Sequence, residues 1–234
     1  MSQPSVQIDP LNSPHPIPWN WVLATLAEHQ ADHETATVKP TLYYYRSQSL
    51  LSPDHQYAAY SRIQMQVQSE IFRSRLSSIL FVENLATGDL QAVTPASPLA
   101  GNPFLDGESD IVGTISVIMP LSWSEVGDRL LAREFESIFG SDIASDYAVV
   151  VDSGLNQVHT IAPTCVSYTN AVLLGWSQHD PNQALFQIGT LGDEALQLCT
   201  VDVTGQTRLA PDDCPRTFGH VSSSVWMGPQ VQQH

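Results

Sequence analysis

The chain alternates between short apolar stretches and short polar turns, and the alternation is clearest at residues 51–68. An apolar segment enters a tight turn at residues 53–56, and a second segment follows at residues 57–68. Over residues 63–68, three apolar residues alternate with three glutamines. That period of two is typical of a strand with one buried and one solvated face, so the sequence predicts a β-hairpin here.

The same pattern returns twice, at residues 121–133 and 174–186. The serines that open the three turns align at Ser52, Ser124 and Ser177. A second hairpin pattern, with Gly, Asp or Ser at its tip, follows each copy at residues 78–93, 147–161 and 198–209. Such tips suit turns that require a positive φ. The repeats therefore predict an all-β protein whose β domain spans residues 42–227, with a surface loop at residues 95–110.

The two ends of the chain depart from this pattern. Five prolines within residues 1–18 predict a flexible, proline-rich arm. Apolar residues then recur at helical spacing after Pro18, which predicts an amphipathic helix over residues 19–34. Its apolar stripe either packs on the rest of the chain or docks on another protein. The tail, residues 228–234, is expected to be frayed.

Charge narrows the range of partners. Among 234 residues, 24 acidic residues against 9 basic ones give a formal net charge of -15. A surface of that sign repels phosphate backbones and anionic membranes, so we expect no nucleic acid partner. A protein partner with a basic surface fits this charge better.

Cysteine use and hydropathy predict a cytoplasmic protein. The three cysteines show no metal-binding spacing and cannot all pair, which favours reduced thiols. The first 18 residues carry no basic residue and no apolar core of a signal peptide. No apolar run approaches eighteen residues, so we expect no membrane span.

The repeat motifs suggest a family. Leu-Ser-Pro-Asp-x-x-Tyr-Ala-Ala-Tyr-Ser at residues 51–61 is followed by Trp-Ser-x-x-x-Asp-Arg-Leu-Leu-Ala-Arg at residues 123–133 and Val-Asp-x-x-Gly at residues 201–205. These motifs resemble the blades of TolB-like and WD40-like β-propellers, although His55 stands where glycine is usual. More loosely, the whole chain resembles uncharacterised conserved proteins of cyanobacteria.

The resemblance implies a propeller-like array of three to four antiparallel, four-stranded blades with one N-terminal helix. A fourth blade would combine residues 42–51 with residues 221–227 and so join both ends of the chain in one sheet. Without it, the array is an open, curved β structure whose edges need covering, and the helix is a candidate cover.

Aromatic and basic residues supply the candidate partner contacts. The aromatics either fill the core or mark a protein–protein surface. The arginines, the one basic cluster of the chain, are either solvated or contact an anion or carboxylate. The set is Trp19, Trp21, Tyr43, Tyr44, Tyr45, Arg62, Arg73 and Arg75.

Catalytic and metal motifs are weak, and we assign no catalytic, cofactor or metal residue. Ser177 lies in Gly-Trp-Ser-Gln-His, which lacks the second glycine of a nucleophile elbow. His29 and His33 have the i, i+4 spacing of helical metal ligands, without the glutamate of a metalloprotease. Acidic residues at the hairpin tips are explained by turn chemistry or by a cation site; they are Asp54, Asp89, Asp128, Asp152 and Asp202.

The sequence therefore favours a non-catalytic protein-interaction or scaffold protein. One alternative is a small hydrolase or lyase with a site in a central channel, using turn carboxylates and His55 or His179 as acid and base. Another is a small-ligand or metal-binding module.

Overall fold

The protein is built mainly from β-strands, with one α-helix near its N-terminus. The computed structural model describes residues 9–32, 40–100, 112–164, 167–190, 196–223 and 226–230. In chain order the elements are α1 (Trp19–Asp32), β1 (Thr41–Arg46), β2 (Ser49–Leu51), β3 (Tyr57–Val67), a 3₁₀ turn (Ile71–Arg73), β4 (Arg75–Asn84), β5 (Leu90–Val93), β6 (Thr114–Trp123), β7 (Arg129–Ile138), β8 (Ala144–Asp152), β9 (Gln157–Ile161), β10 (Asn170–Ser177), β11 (Ala184–Gly189), β12 (Gln197–Val201), β13 (Thr207–Leu209), β14 (Pro215–Arg216), β15 (His220–Ser222) and β16 (Gly228–Gln230). The all-β prediction is confirmed.

Three antiparallel meanders follow one another along the chain. The first comprises β2 to β5, the second β6 to β9 and the third β10 to β13. The third meander and β14 form a five-stranded sheet, whereas the first two belong to one sheet of eleven strands. Each meander begins with one of the repeated hairpins.

The predicted β-propeller is wrong. Strands β4 and β6 pair in parallel, Leu76 with Ile115 and Ser77 with Ser116. This pairing uses the part of β4 that β5 leaves unpaired, and it joins the first two meanders in one sheet. The sheets do not close into a ring, and the arrangement of the described residues is an open, sandwich-like one. Alternating strands and tight turns are common to propellers and open sheets, so the motifs did not distinguish the two.

The ends of the described chain meet in the large sheet. Strand β15 pairs with β2, and β16 pairs with β1. Strands β1, β2 and β15 lie largely in the segments predicted to form a fourth blade, residues 42–51 and 221–227, whereas β16 lies in the tail that was expected to be frayed. They extend the first meander sideways and do not make a further four-stranded unit.

The helix packs on one face of the first meander. Val22 and Leu26 of α1 share a buried cluster with Ile63 and Met65 of β3. Since Ile63, Met65 and Val67 of β3 all point to this side, the helix covers the face that the period-two pattern predicts to be buried. The opposite face of the first meander is the one with polar and aromatic side chains.

The segment that precedes the helix is packed as well. Residues 1–18 are predicted to form a mobile arm, yet within the described residues 9–18 both Asp9 and Ile17 are buried. The carboxylate of Asp9 accepts the backbone N–H groups of Leu11, Ser13 and Ile17. This segment is therefore part of the fold.

The three repeated serines have the same structural role. In each case the serine N–H pairs with the carbonyl oxygen across its turn, from Ser52 to Tyr57, from Ser124 to Arg129 and from Ser177 to Gln183. Each hydroxyl also donates to an aspartate, at 2.6 Å for Asp54, 2.7 Å for Asp128 and 2.6 Å for Asp213. The repeat in the sequence is thus a repeat of turn geometry.

Candidate interaction surface

The face of the first meander opposite α1 carries the candidate surface, which we call the arginine face. The register of the strands determines which residues lie on this face, because residues paired across neighbouring strands point to the same side. Arg62 of β3 pairs with Arg46 of β1 and Ile79 of β4, while Gln66 pairs with Arg75. The arginine face consists of Tyr44, Arg46, Tyr60, Arg62, Gln64, Gln66, Arg75, Ser77, Ile79 and Phe81.

An aromatic stack fixes one side of this face. The guanidinium carbon of Arg46 lies 3.8 Å from the centroid of the Tyr60 ring. Tyr60 in turn stacks on Phe81, with 5.5 Å between the ring centroids. Arg46 also donates hydrogen bonds to the Ser47 carbonyl and the Ser49 hydroxyl. These contacts hold the Arg46 guanidinium as a fixed cation on a half-buried aromatic base.

Arg62 stands beside this stack and is accessible. It is exposed, and it forms no ion pair with any residue that the structure describes. Its side chain borders a groove of about 430 Å³. The groove combines aromatic walls with hydroxyl and amide groups; its other members on or beside the arginine face are Tyr44, Gln64, Ser77, Ile79, Phe81 and Gln230.

Arg75 supplies a third positive charge on the same face. It is half-buried, and its buried Nη2 atom has no hydrogen-bond partner among the described residues. Among the described strands, Glu83 is the acidic residue on this side, and it lies at the far end of β4, opposite Ala58. The arginine face is therefore locally basic on a protein whose net charge is -15.

The structure divides the residues predicted to contact a partner. Trp21 contacts Tyr45, Trp19 stacks on Phe139 and Tyr43 meets His29, all on the helix side of the sheet. Tyr44, Arg62 and Arg75 lie on the arginine face. Arg73 lies in the 3₁₀ turn, where its Nε is 2.6 Å from Glu70 Oε2 and both side chains are more than half exposed.

Seven members of the face are absent from the predicted partner contacts, and three of these, Arg46, Tyr60 and Phe81, form its aromatic stack. The period of two identifies Tyr60, which lies two residues before Arg62 on β3, whereas Arg46 requires the register between β1 and β3. Phe81 requires the register between β3 and β4, which a single sequence does not reveal.

A second arginine environment lies inside the molecule and is fully paired. Arg133 is 0% exposed, and its guanidinium donates to Asp9 and to Asp146, with 2.8 Å for the shortest contact to each. It also donates to the His15 carbonyl at 2.7 Å. Asp146 accepts the Leu173 N–H, so the cluster ties the N-terminal segment, the second meander and the third together.

The two carboxylates of this cluster respond differently to burial. Burial raises the pKa of Asp146 to about 6, although the Arg133 charge opposes the rise. For Asp9 burial also favours the protonated form, but the Arg133 guanidinium and the backbone N–H donors outweigh it, and the pKa is lowered. The single positive charge of Arg133 therefore offsets the effect of burial at Asp9 but not at Asp146.

The hydroxyl of Ser177 belongs to a turn. It donates to Asp213, and the same carboxylate accepts the backbone N–H groups of Gln178, His179 and Cys214. His179 Nδ1 is 3.7 Å from Asp213 Oδ1, with 65% of the side chain exposed. Ser52 and Ser124 donate to an aspartate of their own turn, whereas Asp213 comes from the segment after β13; in each case the bond stabilises the turn. His55, the other histidine of the enzyme hypothesis, stacks on His220 with 5.5 Å between centroids.

The hairpin-tip carboxylates bind their own turns. Asp54 accepts the Gln56 N–H, Asp152 accepts the Leu155 N–H, and Asp202 accepts the N–H groups of Thr204 and Gln206. In the part of the chain that the structure describes, no group of three or more histidine, cysteine or acidic residues is placed to hold a metal ion. His29 is buried against Tyr43, whereas His33 lies outside the described residues.

A larger cleft lies between the N-terminal segment and the large sheet. Its volume is about 590 Å³, and its walls combine Pro14, Pro16 and Pro18 with Met119 and Leu121. A cleft of this size is within the range that small molecules occupy in proteins.

Comparison with known proteins adds little. No protein-family model matches the chain, and no curated protein matches it. A solved structure described as a glycoside hydrolase superposes with a TM-score of 0.38 and 8% identity, over 80% of this chain and 62% of that one. Likeness at that level carries no argument about fold or activity. The resemblance to TolB-like or WD40-like propellers and to the cyanobacterial group is thus corrected: neither a family model nor the fold supports it. Within the described residues, no helix is both long and apolar enough to cross a membrane.

Proposed function

We propose that the protein is a non-catalytic interaction protein that binds a protein partner through the arginine face. The observation that carries the proposal is the concentration of Arg46, Arg62 and Arg75 on one side of a sheet that also presents Tyr44 and Phe81. Arginine and tyrosine are enriched at the centres of protein interfaces. A locally basic face stands out on a chain of net charge -15.

The support beneath the face suits recognition. The strands that carry it are anchored from behind by α1 through Val22 and Leu26. The Arg46–Tyr60–Phe81 stack is preformed, so a partner does not have to order these side chains. A rigid surface of this kind suits a scaffold role.

The test is capture of partners from native lysate by the full chain and by charge-reversed variants. We expect a partner that the wild-type protein retains to be lost from Arg62→Glu, because an exposed cation would become a repulsive anion. Arg208→Glu is the matched control, since Arg208 is also exposed but lies on β13. Loss from both variants, or from neither, would contradict the proposal.

A second candidate is binding of a small molecule in the 590 Å³ cleft beside the N-terminal segment. Its apolar walls and the nearby Ser47 and Gln48 favour a largely apolar ligand with one polar group. A fragment that binds there raises the melting temperature of the protein, because a ligand of the folded state stabilises it. Met119→Trp, which fills the cleft, should abolish that rise.

A further inference from the structure

We infer that the occupant of the arginine face is an extended acidic segment of the partner, with the pattern acid–x–apolar–x–acid. This inference rests on the proposed function and specifies its partner chemistry. It depends on the spacing of two cations, the groove that Arg62 borders and the charge around them.

The spacing comes from the strand register. Arg62 is opposite Ile79 on β4, and Arg75 precedes Ile79 by four residues on the same strand. Four residues of a strand span about 13 Å. An extended peptide that runs along the strands repeats the same distance between residues i and i+4, and both of these side chains point to the same side. Carboxylates at i and i+4 therefore match Arg62 and Arg75.

The groove indicates which type of side chain suits the peptide residue between the two acids. Residue i+2 of such a peptide also faces the sheet, above the pair formed by Gln64 and Ser77. Tyr44 and Ile79 supply apolar walls at this point. An apolar or aromatic side chain at i+2 would bury these walls, while the Gln64 amide and the Ser77 hydroxyl remain for backbone groups of the peptide.

Charge favours a protein segment over nucleic acid. Two carboxylates match the exposed Arg62 and the half-buried Arg75, and the interaction stays within the local positive region. A phosphate backbone carries a charge at every nucleotide and would extend over the remaining surface of a protein with net charge -15. The observations therefore support a short acidic segment.

The experiment uses the full-length protein and three fluorescein-labelled peptides, with binding followed by fluorescence anisotropy. The first peptide contains the core Glu-Thr-Phe-Thr-Glu between Gly-Ser flanks. The second has the same composition with the core Glu-Phe-Thr-Glu-Thr, which moves the acids to i and i+3. The third replaces both glutamates of the first with glutamine.

We expect the first peptide to bind at low salt and the other two to bind about tenfold more weakly. Arg62→Ala and, separately, 0.5 M NaCl should each weaken binding of the first peptide by a similar factor, because the interaction is electrostatic. Arg208→Ala should leave binding unchanged. Equal binding of the two glutamate peptides, no effect of Arg62→Ala, or tighter binding of a single-stranded oligonucleotide would overturn the inference.

The peptide experiment tests the acidic-segment assignment, whereas the lysate capture tests the proposed function. If the peptides do not bind while a lysate partner is lost from Arg62→Glu and retained by Arg208→Glu, the acidic-segment assignment is overturned and the interaction function stands. If capture shows no dependence on Arg62, the proposed function fails with it.

Discussion

Arg133 and Arg62 occupy strands of the same sheet, and their surroundings are opposite. Arg133 is fully buried, and each of its guanidinium nitrogens donates to Asp9, Asp146 or His15. Arg62 is exposed and borders a groove with no carboxylate among the described residues of its walls. The first arginine joins three parts of the fold, whereas the second remains available to a partner.

The difference shows that the role of an arginine follows from what the fold places beside it. A buried guanidinium needs carboxylates, because its charge has lost its hydration. An exposed guanidinium keeps its water until a partner displaces it. Substitutions at the two sites should therefore separate stability from binding.

The largest expected effect is that of Arg133→Met. Removal of the guanidinium leaves Asp9 and Asp146 buried without their cation, and we expect a loss of about 3–5 kcal/mol in the free energy of unfolding. Urea denaturation at neutral pH measures this loss. Arg208→Met, at an exposed site, is the control and should change stability by less than about 0.5 kcal/mol. A similar small change for Arg133→Met would show that the cluster is not structural.

Two adjacent tyrosines extend the comparison to the two faces of β1. Tyr45 packs on Trp21 on the helix side, with 5.1 Å between ring centroids, whereas Tyr44 is 37% exposed on the arginine face. We expect Tyr45→Ala to cost about 2–3 kcal/mol of stability, because it leaves a gap beneath α1. Tyr44→Ala should cost less than about 1 kcal/mol. The assignment of faces fails if thermal and urea unfolding rank the two variants in the reverse order.

The turn serines allow a comparison between buried and exposed carboxylates. Ser177 and its acceptor Asp213 are both buried, whereas Ser52 donates to an exposed Asp54. We expect Ser177→Ala to cost about 1–3 kcal/mol, because Asp213 loses a hydrogen bond away from water. Ser52→Ala should cost less, since water can replace the hydroxyl at Asp54. Equal losses in urea denaturation would show that burial does not control the strength of these turns.

A buried carboxylate without a cation supplies a pH-dependent prediction. Glu134 Oε1 accepts the N–H groups of Ala96 and Ser97, while Oε2 has no hydrogen-bond partner in the part of the chain that the structure describes. Burial raises the pKa of Glu134 above its ordinary value of 4.5. Between that value and the raised pKa, the folded state holds a proton that the unfolded chain has released, so the contribution of Glu134 to stability falls as pH rises.

The Glu134→Gln variant removes this contribution. Its stability relative to the wild type should increase from about pH 4.5 to about pH 7.5, when urea unfolding is measured at both values. Asp146→Asn is unsuitable for this test, because Asp146 accepts hydrogen bonds with both carboxylate oxygens, from Arg133 and Leu173, and an amide nitrogen can accept neither. A difference between Glu134→Gln and wild type that stays constant with pH would contradict the raised pKa.

The smallest expected effect on stability is that of Arg62→Ala, which should stay within about 0.5 kcal/mol of the wild type. The side chain is exposed, and within the described residues it forms no ion pair whose loss would matter. Urea denaturation measures this directly. A loss above about 1 kcal/mol would place Arg62 with the structural arginines.

The sequence predicted the local features of this protein better than its assembly. The alternation in β3, the helix after Pro18 and the equivalence of Ser52, Ser124 and Ser177 all rest on short-range patterns. The parallel pairing of β4 with β6, which replaces the expected propeller by an open sheet, depends on contacts between distant residues. Even His55, which occupies the glycine position of the turn motif, adopts a φ of 59°, the left-handed conformation that such a turn requires.

The candidate site was predictable only in part, for the same reason. Arg62 and Arg75 form a basic cluster in the sequence, but their convergence with Arg46 depends on the register of three strands. The packed role of residues 9–18 depends on Arg133, more than a hundred residues away. Deletion of residues 1–34 would remove the buried Ile17, Val22 and Leu26. A loss of binding in that variant would therefore not distinguish a lost contact from a lost fold.

Site-specific photo-crosslinking determines whether partners dock on the arginine face. A photoreactive amino acid would replace Tyr44 on the arginine face or Leu209, an exposed residue of β13, in otherwise wild-type protein exposed to native lysate. We expect the photoreactive residue at position 44 to crosslink one partner that position 209 does not crosslink. Adding Arg62→Glu to the position-44 protein should abolish this crosslink. Crosslinking of the same partner from position 209 but not from position 44 would contradict docking on the arginine face.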